Sequence, residues 1–263
     1  MKGIKCCIKK DIREALRTGK LILFILMAVG VGIMIMGFTV IFTNIPDALT
    51  QELQDFDISS LESMMSTLYP KIVRENMAVF AYYIGFFYSL VMILVCHNIL
   101  PKERKKGKWV LPKEQGYTVR DIVTGKVLVY GSFAGISVFV CYMIYYFIAC
   151  TFMTRNMTLG NAFICALIHG LNICFILDYT MLMSVWFKNG IVAAISMIGT
   201  VLFAPDILSY LPFGKYLPTY MLTFVYESLD TYSELIIPLI VNVICLVITY
   251  LIAIKRADRF LSR

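Results

Sequence analysis

Long apolar stretches constrain this chain more than any other feature. A helix needs about 20 apolar residues to cross a hydrocarbon core. Five stretches reach that length: residues 21–42, 78–100, 127–153, 159–187 and 235–254. A sixth, 191–204, is shorter and runs into Pro205 and Asp206. Its continuation through Pro212, Gly214, Lys215 and Pro218 reads as a broken, re-entrant or interfacial segment, which membrane depth tolerates only where protein buries it. The expected fold class is an all-α membrane protein, one transmembrane domain over residues 1–263 with six transmembrane helices. Composition excludes the soluble alternative. The chain is 59% hydrophobic and 16% charged, against about 45–50% and 25% in soluble domains. The first stretch is too long for a signal-peptide core and no small-residue cleavage site follows it, so it is expected to be retained as a span.

Charge sets the expected orientation, because cytoplasmic loops carry the excess of Lys and Arg. Residues 1–20 hold seven Lys/Arg and two acids, the 101–126 loop eight and three, and the tail from Lys255 four and one. The alternate loops are acidic: 43–76 has two basic and six acidic residues, 205–234 one and four. A multi-pass cell-membrane protein with both termini cytoplasmic follows. The net charge of +7 is thereby spread over three segments, which speaks for topology and against a nucleic-acid partner. None of the eight cysteines falls in the two long outer loops, so a disulfide framework is not expected. Cys6 and Cys7 read as packing residues ahead of palmitoylation sites.

Three segments outside the spans have their own patterning. Within residues 1–18, Ile4, Ile8, Ile12, Ala15 and Leu16 recur at helical spacing among Lys5, Lys9, Lys10, Arg13 and Arg17. That pattern suits an interfacial helix, apolar stripe in lipid and cations at anionic headgroups. The 43–76 outer loop carries a helical stripe from Leu49 to Leu68 and reads as short amphipathic helices. In the 101–126 loop, Glu103 to Leu111 could form a short helix broken by Pro112, and Thr118 with Asp121 is a capping pair opening the next span.

An N-terminal interfacial helix, six spans in about 260 residues, a re-entrant segment after the fifth, and this loop together resemble type 2 ATP-binding-cassette (ABC) exporter permeases. Their loop typically runs Glu, Gly, an apolar pair and Pro, closing on Gly-Lys; Glu103, Gly107, Val110, Leu111, Pro112, Gly125 and Lys126 follow that order. Where the family usually has Thr after the Gly, this chain has Lys108 and Trp109. The resemblance implies a transport subunit, not an enzyme. Glu103, Gly107, Trp109, Leu111 and Pro112 would lie in a coupling helix that docks on a separate ABC ATPase. A second permease copy, identical or related, would complete the exporter. This chain would bind no cofactor, ATP and magnesium belonging to the partner.

Enzymatic motifs are missing. Every Gly-Lys pair is followed by Leu21, Trp109, Val127 or Tyr216, never by Ser or Thr as in a P-loop. Two histidines are too few for most zinc sites, and no metal site is expected. Ionisable groups within spans are functional by default, and the fourth span holds His169, Asn172 and Asp178. These read first as packing glue between helices, with a polar patch lining a translocation path as the alternative. At about 100° per residue His169 and Asp178 fall on opposite faces. A proton-coupled secondary transporter or channel using Asp178 or His169 is the competing reading, and an intramembrane enzyme is disfavoured for want of a nucleophile–base pair. The expected cargo is amphipathic or hydrophobic, a peptide first, because the spans offer aromatic and Met surface and few fixed charges.

Overall fold

The structure, a computed structural model, describes residues 2–43, 72–187, 189–210, 214–217 and 236–261. Among them the elements are α1 (Lys2–Arg17), α2 (Lys20–Thr43), α3 (Val73–Tyr83), a π turn (Ile84–Tyr88), α4 (Ser89–Cys96), α5 (Ile99–Lys105), α6 (Val110–Glu114), α7 (Val119–Phe152), α8 (Leu159–Trp186), α9 (Gly190–Ser209), a 3₁₀ turn (Gly214–Tyr216) and α10 (Ile236–Leu261). The only β pairing among the described residues is a single bridge between Ile72 and Thr154. Most of the 43–76 loop and the later part of the expected re-entrant segment lie outside the described residues.

Five helical stretches are long and apolar enough to cross a membrane: Lys20–Thr39, Val73–Lys105, Val119–Phe152, Leu159–Trp186 and Ile236–Ala257. An all-α, multi-pass membrane protein is the fold these stretches support. The sixth expected span corresponds to a shorter apolar helix, Gly190–Phe203. Its helical backbone continues past Pro205 to Ser209. A proline deletes one helical donor, and within membrane helices neighbouring groups compensate for that loss.

Helices α7 and α8 form the centre. They run antiparallel: Gly131 faces Asp178, Gly135 faces Gly170, and Phe139 meets Phe163 edge-on at 5.3 Å. Apolar burial gives little net drive between helices in lipid, so close packing of small residues takes its place. A Cβ on Gly135 would sit 2.7 Å from the Gly170 carbonyl oxygen, and one on Gly170 2.8 Å from that of Gly135. The two backbones therefore touch where neither residue has a side chain. At one end of the bundle a buried polar chain joins three helices. Asn76 Nδ2 donates to Thr39 Oγ1 at 3.1 Å, Tyr145 donates to Asn76 Oδ1 at 2.5 Å, and Phe80 stacks on Tyr145 at 4.1 Å.

Adding a methyl at the glycine contact should cost about 1–3 kcal/mol through overpacking. Gly135→Ala and Gly170→Ala are each expected to lower the thermal unfolding midpoint in detergent. Gly199→Ala, whose Cβ would meet nothing within 4 Å, should not. Equal midpoints for all three would contradict the packing described.

Candidate functional site

Local rules build the loop between α4 and α7. Gly107 adopts φ +67 and Gly116 φ +83, a conformation that glycine enters without penalty. Gly107 N–H donates to the Arg104 carbonyl at 3.0 Å and Lys108 N–H to that of Glu103 at 3.1 Å. Gly116 and Tyr117 repeat the arrangement onto Lys113 and Pro112, at 2.9 and 3.0 Å. Both are Schellman caps, so α5 and α6 are closed units. Pro101 and Pro112 each occupy the third position of their helix, where the missing N–H has no intrahelical acceptor to lose. The expected helix from Glu103 to Leu111 is thus corrected. The helix ends at Lys105 and is capped at Gly107, and Pro112 belongs to the first turn of α6 instead of breaking a helix. Thr118 and Asp121 form the expected capping box, with Asp121 N–H to Thr118 Oγ1 at 3.1 Å and Thr118 N–H to Asp121 Oδ2 at 3.0 Å.

Beneath this loop lies a buried ionic cluster. Lys126, in the second turn of α7, is 1% exposed, and its ammonium stands 2.8 Å from Asp11 Oδ1, 2.9 Å from Glu103 Oε1 and 3.9 Å from Glu14 Oε2. Lys108 closes the circuit at 3.0 Å from Glu14 Oε1. Three segments distant in sequence, α1, the loop and α7, therefore share one buried cation. Their approach needs Gly125, where a Cβ would fall 2.9 Å from that of Cys7. Burial pushes the Asp11 carboxyl above its ordinary value, while the Lys126 ammonium and its hydrogen bond draw it back down. At Glu14 burial also acts upward but is outweighed by the bond from Lys108 and the nearby Lys126, which hold the carboxyl below its usual range.

The loop residues singled out from the sequence divide between two roles. Glu103 and Trp109 are buried, at 8% and 2% exposure, and hold the loop in place. Gly107 is exposed and Pro112 half-buried, and Leu111 lies in α6. Val110, half exposed, presents an apolar side chain outward from the loop. The two cysteines also separate: Cys7 packs against α7, whereas Cys6 is exposed and accepts a hydrogen bond from Tyr117 at 3.2 Å.

His169, Asn172 and Asp178 are all buried. His169 stacks on Tyr142 with ring centroids 5.3 Å apart. The Asp178 carboxylate occupies the space over Gly131, where any Cβ would collide with it. Asp178 Oδ2 accepts a long contact from Cys174 Sγ at 3.6 Å, and Oδ1 has no partner among the described residues. The expected placement on opposite faces is thus corrected: His169 and Asp178 both meet α7, at separate points along it, because they flank the Gly170 and Cys174 side of α8 that packs on Gly135. Among the described residues no cluster of three His, Cys, Asp or Glu could hold a metal.

The sequence reading missed the role of Lys126 as the hub and of Asp11 as its partner. A signal was available. Asp11 shares the 7, 11, 15 spacing of the buried face of α1, an unexpected place for an acid in a basic helix. No protein-family model matches the chain, and no curated protein matches it in sequence.

Removing the cation should be severe, because two carboxylates would then be buried without a counter-charge. Breaking such a pair costs about 3–5 kcal/mol. Lys126→Met is expected to lower the unfolding midpoint in detergent sharply. Neutralising both partners as well, in Lys126→Met/Asp11→Asn/Glu103→Gln, should restore much of the loss. A triple variant no more stable than the single one would contradict the cluster's role.

Proposed function

We propose that this chain is the membrane permease subunit of an ATP-driven exporter of the type 2 ABC kind. It would work with a separate ATPase and a second permease copy. One observation carries the reading: the loop before α7 is a closed pair of short capped helices, clamped by Lys126 to both α1 and α7. A push on such a loop is delivered to the interfacial helix and to a long membrane helix together, as coupling to an external motor requires. The proposed docking residues are the exposed ones, Lys106, Gly107 and Val110, with Glu103 and Trp109 beneath them as anchors. The proposed cargo is an amphipathic or hydrophobic molecule, a peptide being the first candidate.

The reading includes six crossings, with α9 as the fifth, and cytoplasmic termini. On a cysteine-free background, Ser60→Cys should react with an impermeant reagent in intact cells and Lys106→Cys only after permeabilisation. The reverse pattern would overturn the topology.

Coupling is tested by affinity purification of the tagged chain from its native membranes, which should retain an ATPase bearing a P-loop. Val110→Asp, at an exposed position, should lose that ATPase and its stimulation by amphipathic peptides while keeping the parental unfolding midpoint. A wild-type chain that retains no ATPase, or a Val110→Asp variant that retains it in full, would refute the proposal.

A further inference from the structure

A second charged feature lies outside the Lys126 cluster. Between α1 and α6 is an open cavity of about 790 Å³ lined by Lys10, Arg13, Glu14, Arg17, Lys108 and Pro112. The cations gather there for a helical reason. Lys10, Arg13 and Arg17 recur at three- and four-residue spacing, so they share one side of α1. At about 100° per residue, the helix divides into roughly three faces. Cys7, Asp11 and Ala15 form the face buried against the protein, and Ile8, Ile12 and Leu16 form an apolar face on which Leu16 is 52% exposed. The cationic face is the third. It turns toward the loop and does not border the apolar stripe evenly, as a purely interfacial helix would have it.

Three of the four cations lining the cavity have no internal ion pair among the described residues. Glu14 is the one acid lining the cavity, and it is committed to Lys108 at 3.0 Å and Lys126 at 3.9 Å. Lys10, Arg13 and Arg17 have no ion-pair partner among the described residues. Two guanidinium forks and the Lys10 ammonium around one cavity match phosphate oxygens, the guanidiniums bidentately and the ammonium as a point charge, while Lys108 is already held by Glu14. The cavity volume falls within the range of about 300–1,000 Å³ typical of small-ligand sites. A docked protein surface would instead need about 800 Å² and an apolar centre, whereas the side chains lining this cavity are, Pro112 apart, charged or polar.

We infer that the cavity between α1 and α6 binds a ligand carrying at least two phosphate groups, and that occupation clamps the loop to the N-terminal helix. The phosphates could be those of a free anion or of an anionic lipid headgroup. The inference does not depend on the transport reading.

The test uses the full chain in phosphatidylcholine nanodiscs, read by thermal unfolding at low and matched ionic strength. One arm adds inorganic pyrophosphate; the other replaces part of the lipid with cardiolipin, whose headgroup carries two phosphates. A saturable rise in midpoint with pyrophosphate identifies a free anion as the ligand, and a rise confined to cardiolipin discs identifies the headgroup. In either case Arg13→Gln/Arg17→Gln should weaken the apparent affinity by about tenfold or more, as expected for lost charge-assisted hydrogen bonds. Lys5→Gln/Lys9→Gln removes equal charge from exposed positions of α1 outside the cavity and should leave binding intact. No stabilisation by either probe, or equal weakening by the two double variants, would overturn the inference.

Discussion

One buried ammonium organises the end of this molecule that carries its loop. A lysine held away from water costs several kcal/mol unless its charge is answered, and no single neighbour of Lys126 answers it alone. Asp11 approaches from the N-terminal helix and Glu103 from the loop, with Glu14 at longer range. Each carboxylate is itself costly to bury without the cation. None of the three segments can leave without stranding a charge in the others, and that mutual requirement gives the loop a fixed seat. The glycines serve the same end. Gly125 lets α1 come close enough for Asp11 to reach the ammonium, and a side chain there would push the two apart.

Toward the middle of the bundle the logic changes from charge to shape. α7 and α8 meet backbone to backbone at Gly135 and Gly170, and Asp178 fills the notch over Gly131. Lipid chains compete with apolar side chains on equal terms, so a helix pair is held by what lipid cannot supply, namely close backbone approach and internal polar contacts. Tyr88 with Ser137 at 2.8 Å, and Tyr179 with the Asn242 carbonyl at 2.9 Å, belong to the second kind. The anchored loop and the packed helices meet in α7, which carries Lys126 near one end and Gly135 further along.

The long helices were legible because lipid enforces length and apolarity together, and neither depends on tertiary detail. The Thr118–Asp121 cap was legible for a similar reason, since both partners lie within one turn. The division of the loop was harder. Pro112 looked like a stop, yet proline is disruptive only where its missing N–H would have found an acceptor, and position within the turn decides that. Lys126 was read as the end of a motif and not as a hub, because its partners lie far away in sequence. The faces of α1 were only half legible. Periodicity located the apolar stripe, but which side met the protein depended on Asp11, whose partner could not be read from the helix itself.

The two glycine caps also make the loop intolerant of changes in length. Each cap requires its glycine at one fixed place after the helix, and α5 and α6 are so short that neither has slack to absorb a shift. An inserted residue would turn everything beyond it by about 100°. Within α5 it would carry Glu103 away from Lys126, and within α6 it would shift the Gly116 cap from its place after the helix. The spacing from Glu103 through Gly107 and Gly116 to Lys126 thus behaves as a ruler, in which the distance between marks matters as much as their identity. Side chains on the exposed rungs can vary freely without changing what the ruler measures.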